Sequence, residues 1–216
     1  MLRIILFCLA FSTTKSMNPV TYLALGDSYT IGEAVPASCS FPVLTANILR
    51  KDGINITEPQ IIAVTGWTTD ELTQGIKAAT LHPPYNLVTL LIGVNNQYRG
   101  RSSDEYRREF TALLNQAIEF AGNRKEAVVV LSIPDWGVTP FAKDRDQQQI
   151  ATEIDAFNAV NKEVSTQYGV GYLDITGFTR EAISDLSLVA EDGLHPSGKD
   201  YQRWAKALAP LLLQSL

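Results

Sequence analysis

Ser28 stands two residues after Gly26, which stops an apolar run from Val20 to Leu25, in Leu23-Ala24-Leu25-Gly26-Asp27-Ser28-Tyr29-Thr30. A serine hydroxyl is a weak nucleophile at neutral pH. To attack a carbonyl it needs a base, an acid to orient that base, and donors preset for the oxyanion. The far end of the chain offers the first two. Glu191-Asp192-Gly193-Leu194-His195-Pro196-Ser197-Gly198 places a carboxylate three residues ahead of a histidine, in a Gly- and Pro-punctuated stretch that reads as loop. At that spacing Asp192 can reach Nδ1 of His195 and fix its tautomer, which leaves Nε2 to take a proton from a hydroxyl.

Two further residues stand where oxyanion donors could be. Gly66, in Val64-Thr65-Gly66-Trp67-Thr68-Thr69, follows a short β-prone run and can present its N–H to a bound group without side-chain obstruction. A turn alone would also account for that glycine. Asn95, in Gly93-Val94-Asn95-Asn96, can aim its NH₂ at a developing negative charge, where a carboxylate would repel it; the plainer reading is a loop asparagine bonded to its own backbone. Three residues compete with these assignments. His82 lies before a strand, on the edge expected to face away from Ser28. Asp135 is a second possible orienting acid, but Asp192 is adjacent to the histidine. Cys39 has no base near it in sequence.

Gly26-Asp27-Ser28, Gly66, Asn95 and Asp192-x-x-His195 resemble the four sequence blocks of the SGNH (GDSL-like) esterase and lipase family, in the same order, from about Tyr22 to His195. The resemblance implies Ser28 as nucleophile, His195 as general base and then acid, and Asp192 as the residue that orients the imidazole. It implies an oxyanion hole from the N–H groups of Ser28 and Gly66 and the side-chain amide of Asn95. The implied reaction is hydrolysis of a small-molecule carboxylic ester through an acyl-enzyme, with no metal or cofactor. Small or medium acyl esters are the first reading of the substrate. Carbohydrate O-deacetylation on the same fold, or a non-catalytic α/β binding module, are the alternatives. The chain departs from the family pattern at Asn96, where Asp is usual, and this bears on the hydrogen bonding of that loop more than on activity.

The elements that must position these residues alternate. Apolar strand signals at Val20–Leu25, Gln60–Val64, Asn86–Ile92, Ala127–Ile133 and Val170–Ile175 are separated by helix-period stretches. Those stretches are Phe41–Arg50, a segment capped by Thr68 or Thr69, Ser103–Ala121, Gln147–Tyr168 and a terminal helix from Ser197. Near-continuous apolar strands suit a sheet covered on both faces. The expected fold is a three-layer α/β/α sandwich around a five-stranded parallel, flavodoxin-like sheet, the SGNH hydrolase fold. Ligands in such sheets bind at the carboxyl edge, where Ser28 would emerge. Trp136 and the loop through Phe141 are expected to line one side of the cleft, and Trp67 either walls an acyl pocket or packs in the core.

Residues 1–16 read differently from the rest. Arg3 precedes the apolar run Ile4–Phe11, followed by small polar residues, which is the order of a secretory signal ending before Met17. That reading makes the protein secreted or periplasmic, with one domain over residues 17–216. The alternative is an N-terminal extension before a cytoplasmic start at Met17. The apolar run is shorter than the ~20 residues that span a bilayer, so no stable membrane span is expected. Loss of residues 1–16 would remove two basic residues and no acid, taking the net charge from −5 to −7. An acidic chain without a basic run argues against nucleic acid as a partner. Cys8 and Cys39 are the only cysteines, and a cleaved leader would separate them.

Overall fold

The computed structural model describes residues 18–216; the expected leader at residues 1–16 lies outside the described residues. Five parallel strands, β1 (Tyr22–Gly26), β2 (Gln60–Ala63), β3 (Leu87–Leu91), β4 (Val128–Leu131) and β5 (Gly171–Leu173), form one sheet in the order β2-β1-β3-β4-β5. The three central strands are buried along their whole length, as a sheet covered on both faces requires. The edge strands β2 and β5 are half-buried.

Helices cover both faces. α1 (Ser28–Ile31) is a single turn directly after β1, and α2 (Phe41–Lys51) follows it. α3 (Thr69–Ala78) begins at Thr68, whose backbone N–H donates to the Glu71 carboxylate at 2.8 Å, closing its first turn. α4 (Val94–Tyr98) is another short helix, after β3. α5 (Ser103–Phe120) is capped by Ser102, and α6 (Gln147–Tyr168) by Asp146, whose carboxylate accepts from the Gln149 N–H at 2.9 Å. α7 (Thr176–Arg180) leads to α8 (Gly198–Leu213). α2 packs against α8, while α5 packs against both α3 and α6, completing the three layers. The long helices bury the stripes expected from their spacing, Tyr106, Phe110, Leu113, Leu114 and Ala117 on α5 and Ile150, Ile154, Phe157, Val160 and Val164 on α6.

The strand order reverses between β1 and β3, and their register positions the site. Gly26 at the end of β1 lies beside Ala63 of β2 and Leu91 of β3. The chain segments leading to Ser28, Gly66 and Asn95 therefore leave the sheet side by side, at the crevice where open parallel sheets bind ligands. Gly26 permits the sharp entry into α1: a Cβ there would sit 2.0 Å from Thr30 Oγ1 and 2.5 Å from the Leu91 carbonyl oxygen. Sequence pattern showed turns after β1 and β3; the structure has one-turn helices there, too short for periodicity to register. Among the described residues, no helix is long and apolar enough to cross a membrane.

Candidate active site

Ser28 is the first residue of α1. Asp27 caps that helix by accepting the Tyr29 N–H at 3.0 Å, which fixes the turn and leaves the Ser28 side chain to point away from it. His195 reaches Ser28 from across the molecule, carried on the loop before α8, with Nε2 2.9 Å from Ser28 Oγ. Its other ring nitrogen, Nδ1, lies 2.5 Å from Asp192 Oδ2. Asp192 Oδ1 accepts the backbone N–H groups of Leu194 and His195, both at 3.0 Å. One carboxylate thus folds its own loop and holds the ring. A bridge between Val189 and Pro196, with the Ala190 N–H donating to the His195 carbonyl at 2.7 Å, closes the loop at its base.

Burial sharpens these contacts. Ser28 and His195 are buried, and the ring of Tyr29 lies 4.9 Å from that of His195, tilted across it. At Asp192 partial burial acts to raise the carboxyl, but the hydrogen bonds from the His195 ring and the two backbone N–H groups outweigh it and hold the group below its usual value. Asp192 is therefore an anion facing Nδ1. In this arrangement Nδ1 carries the ring proton, Nε2 faces the serine as an acceptor, and the hydroxyl proton has a place to go.

Asp27 behaves differently. It is fully buried, and desolvation pushes its carboxyl up to about 7 despite hydrogen bonds from Tyr29 and Asn95 that act in the opposite direction. Its Oδ2 lies 3.4 Å from Asn95 Nδ2, and the same Asn95 amide donates to the Trp67 carbonyl oxygen at 3.0 Å. Asn95 is thus held between the segments that follow β1 and β2. Gly66 has φ +82°, a left-handed backbone that suits glycine, and its carbonyl accepts from Arg99 Nη2 at 2.7 Å.

Asn96 supplies the loop order that the family's aspartate would. Fully buried, it accepts the Thr69 N–H through Oδ1 at 3.1 Å and donates through Nδ2 to Thr69 Oγ1 at 2.7 Å. The Thr69 hydroxyl in turn donates to the Glu109 carboxylate. With the half-buried Glu109 carboxylate already accepting from Thr69, an amide at position 96 completes the network without placing a charge in the interior.

The competing residues are elsewhere. His82 is exposed before β3, its backbone N–H donating to Tyr85 Oη at 3.0 Å. Asp135 is buried but paired with Arg180 at 2.9 Å and occupied by the Gly137 N–H. Trp67 does not wall the cleft: its ring lies over Gly75 of α3, where a Cβ would come within 2.1 Å of it, so it packs between a loop and a helix. Among the described residues, no group of three His, Cys, Asp or Glu side chains is gathered to hold a metal ion.

The cleft beside Ser28 has a volume of about 170 Å³ and is lined by Ser28, Tyr29, Val94, Asn95, Tyr98, Trp136, Phe141, Leu194 and His195. Trp136 and Phe141 are where the loop after β4 was expected to put them. Tyr98 and Val94 went unrecognised in the sequence. Their signal was the four-residue spacing that places both on one face of a helix bearing Asn95, visible only once that segment is known to be helical.

Among curated proteins, none matches the chain in sequence. Solved structures do share its fold. The structure of TesA superposes with a TM-score of 0.72 at 19% identity, covering 91% of this chain and 99% of that one. A lipase/acylhydrolase from Enterococcus faecalis gives 0.70 at 19% identity, with 88% and 94% covered. An acetylxylan esterase, Axe2 from Geobacillus stearothermophilus, gives 0.67 at 16% identity, with 91% and 93% covered. The model of the GDSL-like Lipase/Acylhydrolase family matches residues 24–203, and with the α/β fold and the block residues gathered at one edge of its sheet, the chain belongs to that family of ester hydrolases.

Proposed function

We propose that the protein is a serine esterase that hydrolyses carboxylic esters with small or medium acyl groups, with Ser28, His195 and Asp192 as its catalytic triad. The observation that carries this reading is the 2.9 Å contact between Ser28 Oγ and His195 Nε2, backed by Asp192 at 2.5 Å from Nδ1. As Oγ attacks the ester carbon, its proton passes to Nε2, and the imidazolium that forms is stabilised by the Asp192 anion. The carbonyl electrons move onto oxygen, which the N–H groups of Ser28 and Gly66 and the Asn95 amide would receive. Collapse expels the alcohol, protonated from Nε2, and leaves an acyl-serine. Water then attacks that acyl carbon, giving its proton to Nε2, and the acid leaves as Ser28 regains its hydrogen.

The Asn95 geometry supports its part. Its contact to Trp67 has ordinary hydrogen-bond length, whereas the 3.4 Å contact to Asp27 is long, so that second amide hydrogen is the one available to an oxyanion. Carbohydrate O-deacetylation remains the rival, since an acetylxylan esterase shares the fold. The largely apolar wall beside Ser28 favours an apolar group over a sugar.

Hydrolysis of p-nitrophenyl acetate and its longer homologues by wild type and Ser28→Ala tests the reading, with circular dichroism on both. Activity lost in a folded variant is expected, together with labelling of wild type alone by a fluorophosphonate. A Ser28→Ala protein as active as wild type would overturn the triad. A folded wild type that neither turns over esters nor labels would leave the binding-module reading.

A further inference from the structure

One wall of the cleft beside Ser28 is built from three rings. Trp136 is almost fully buried and forms the floor, while Tyr98 and Phe141 are 48% and 45% exposed, unusually open for large apolar side chains. Tyr98 meets the indole edge-on, with centroids 5.2 Å apart and planes at 70°; Phe141 does so at 6.0 Å and 66°. Tyr98 and Phe141 lie 6.4 Å apart, so the rings make a three-sided recess. Val94 and Leu194 extend it, and among the described residues no Asp, Glu, Lys or Arg side chain lines it.

The floor is locked from behind. Trp136 Nε1 donates to Gln97 Oε1 at 2.7 Å, and Gln97 Nε2 donates to Glu153 Oε2 of α6 at 2.7 Å. Gln97 is buried, does not line the cleft, and sits two residues after Asn95 on α4. The Phe141 N–H donates to the Gly193 carbonyl at 2.9 Å, which ties the wall to the loop that holds Asp192 and His195. The rings are thus set relative to Asn95 on one side and His195 on the other. A Trp indole whose only polar atom is satisfied behind it presents a purely apolar surface forward.

Resting on the esterase reading, we propose that Tyr98, Trp136 and Phe141 form an aromatic subsite for the uncharged apolar half of the substrate, an aryl or medium-length alkyl group, and that Gln97 sets its selectivity by fixing the Trp136 indole. The recess offers no cation or anion to a charged headgroup, and burial of apolar area is what it rewards. Gln97 is a positioning residue, acting through the indole.

The test compares kcat/KM for ethyl hexanoate against ethyl acetate, and for phenyl acetate against ethyl acetate, in wild type, Phe141→Ala, Gln97→Leu and Gln97→Glu. In Phe141→Ala and Gln97→Leu, one of the two ratios is expected to fall about tenfold, the scale of a lost methylene-sized contact. Made together with Glu153→Gln, which replaces the carboxylate it would otherwise face, Gln97→Glu keeps an acceptor for the indole N–H and is expected to retain more of the ratio than Gln97→Leu does. The second readout needs no turnover: the Trp136 indole N–H resonance in Ser28→Ala, assigned with Trp136→Phe, should shift on titration with methyl hexanoate or phenyl acetate, whichever series shows the falling ratio, and stay put with methyl acetate at equal concentration. Unchanged ratios in both series, or an indole resonance indifferent to both methyl hexanoate and phenyl acetate, would overturn the subsite. Absent turnover with a responsive indole would sink the esterase reading and leave the subsite standing.

Discussion

The side-chain amide of Asn95, on the helix after β3, donates to the backbone carbonyl of Trp67, on the turn after β2, at 3.0 Å. The two segments expected to supply oxyanion donors, one through Gly66 and one through Asn95, are therefore tied to each other across the end of β1. Replacing Asn95 by Ala removes that tie and one donor. Loss of one oxyanion donor typically lowers kcat by ~10²–10³. Steady-state kinetics on p-nitrophenyl butyrate, with a urea melt to show an intact fold, check this. A loss below about threefold would take Asn95 out of the role.

Asn96→Asp restores the residue more usual in the family, yet it should destabilise this protein. Asp at 96 would still accept the Thr69 N–H but would lose the donation to Thr69 Oγ1, and it would place a fully buried carboxylate next to the half-buried Glu109. A cost of about 1–3 kcal/mol is expected. Adding Glu109→Gln should recover part of it, because the added amide can then donate where the carboxylate could not. Equal urea midpoints for Asn96→Asp and wild type would refute the network argument.

Asp192 and Asp135 should separate cleanly by readout. The Asp192 carboxylate faces His195 Nδ1, so Asp192→Asn, which keeps an acceptor for the Leu194 and His195 N–H groups, should cut kcat with little change in melting temperature. Asp135 is buried and paired with Arg180, so Asp135→Ala leaves Arg180 half-buried without this partner and exposes no new role in turnover. Arg180 keeps its second partner, Asp155, so the expected signature is a loss of about 1–3 kcal/mol from the unpaired Gly137 N–H and the lost ion pair, with kcat per folded molecule retained. The reverse pattern would make Asp135 the orienting acid.

Asp27 predicts a pH dependence of stability. Its folded-state carboxyl is raised from 3.8 to about 7, chiefly by burial. Between those values the folded protein holds a proton that the unfolded chain has released, so stability falls as pH rises through that window and the cost is complete above about 7. Asn at position 27 does not titrate and can still accept the Tyr29 N–H. Asp27→Asn should therefore gain on wild type between about pH 4 and 8, by up to roughly 4 kcal/mol. Asp200, raised to about 6 mainly by burial, has the same sign but is common to both proteins and drops out of the difference. A stability difference independent of pH would show that Asp27 is ionised in the fold throughout.

Much of this was legible in the residues themselves. Alternating apolar strand runs and helix-period stretches determined an α/β sandwich, because strands buried on both faces and helices packed on one face leave different, countable periods in a chain. Asp192 and His195 were legible as a pair, three residues apart in one loop, because a short loop limits how far two side chains can separate. Ser28 and Asn95, which line the cleft, were legible by type and by their place after strands, and Gly66 as a turn glycine.

Tertiary structure alone decided the rest. Strand order and register put the ends of β2, β1 and β3 together, and the packing of α8 on α2 carries His195 to a serine 167 positions earlier in the chain. It sent Trp67 onto Gly75 and Asp135 to Arg180, choices that depend on what lies across a layer rather than along the chain. It built the aromatic recess from Tyr98, Trp136 and Phe141, with Gln97 behind it, and gave Asn96 its partner Thr69. Periodicity reports which residues are buried; it carries no record of which buried residue meets which, since that is set by the close approach of elements distant in sequence.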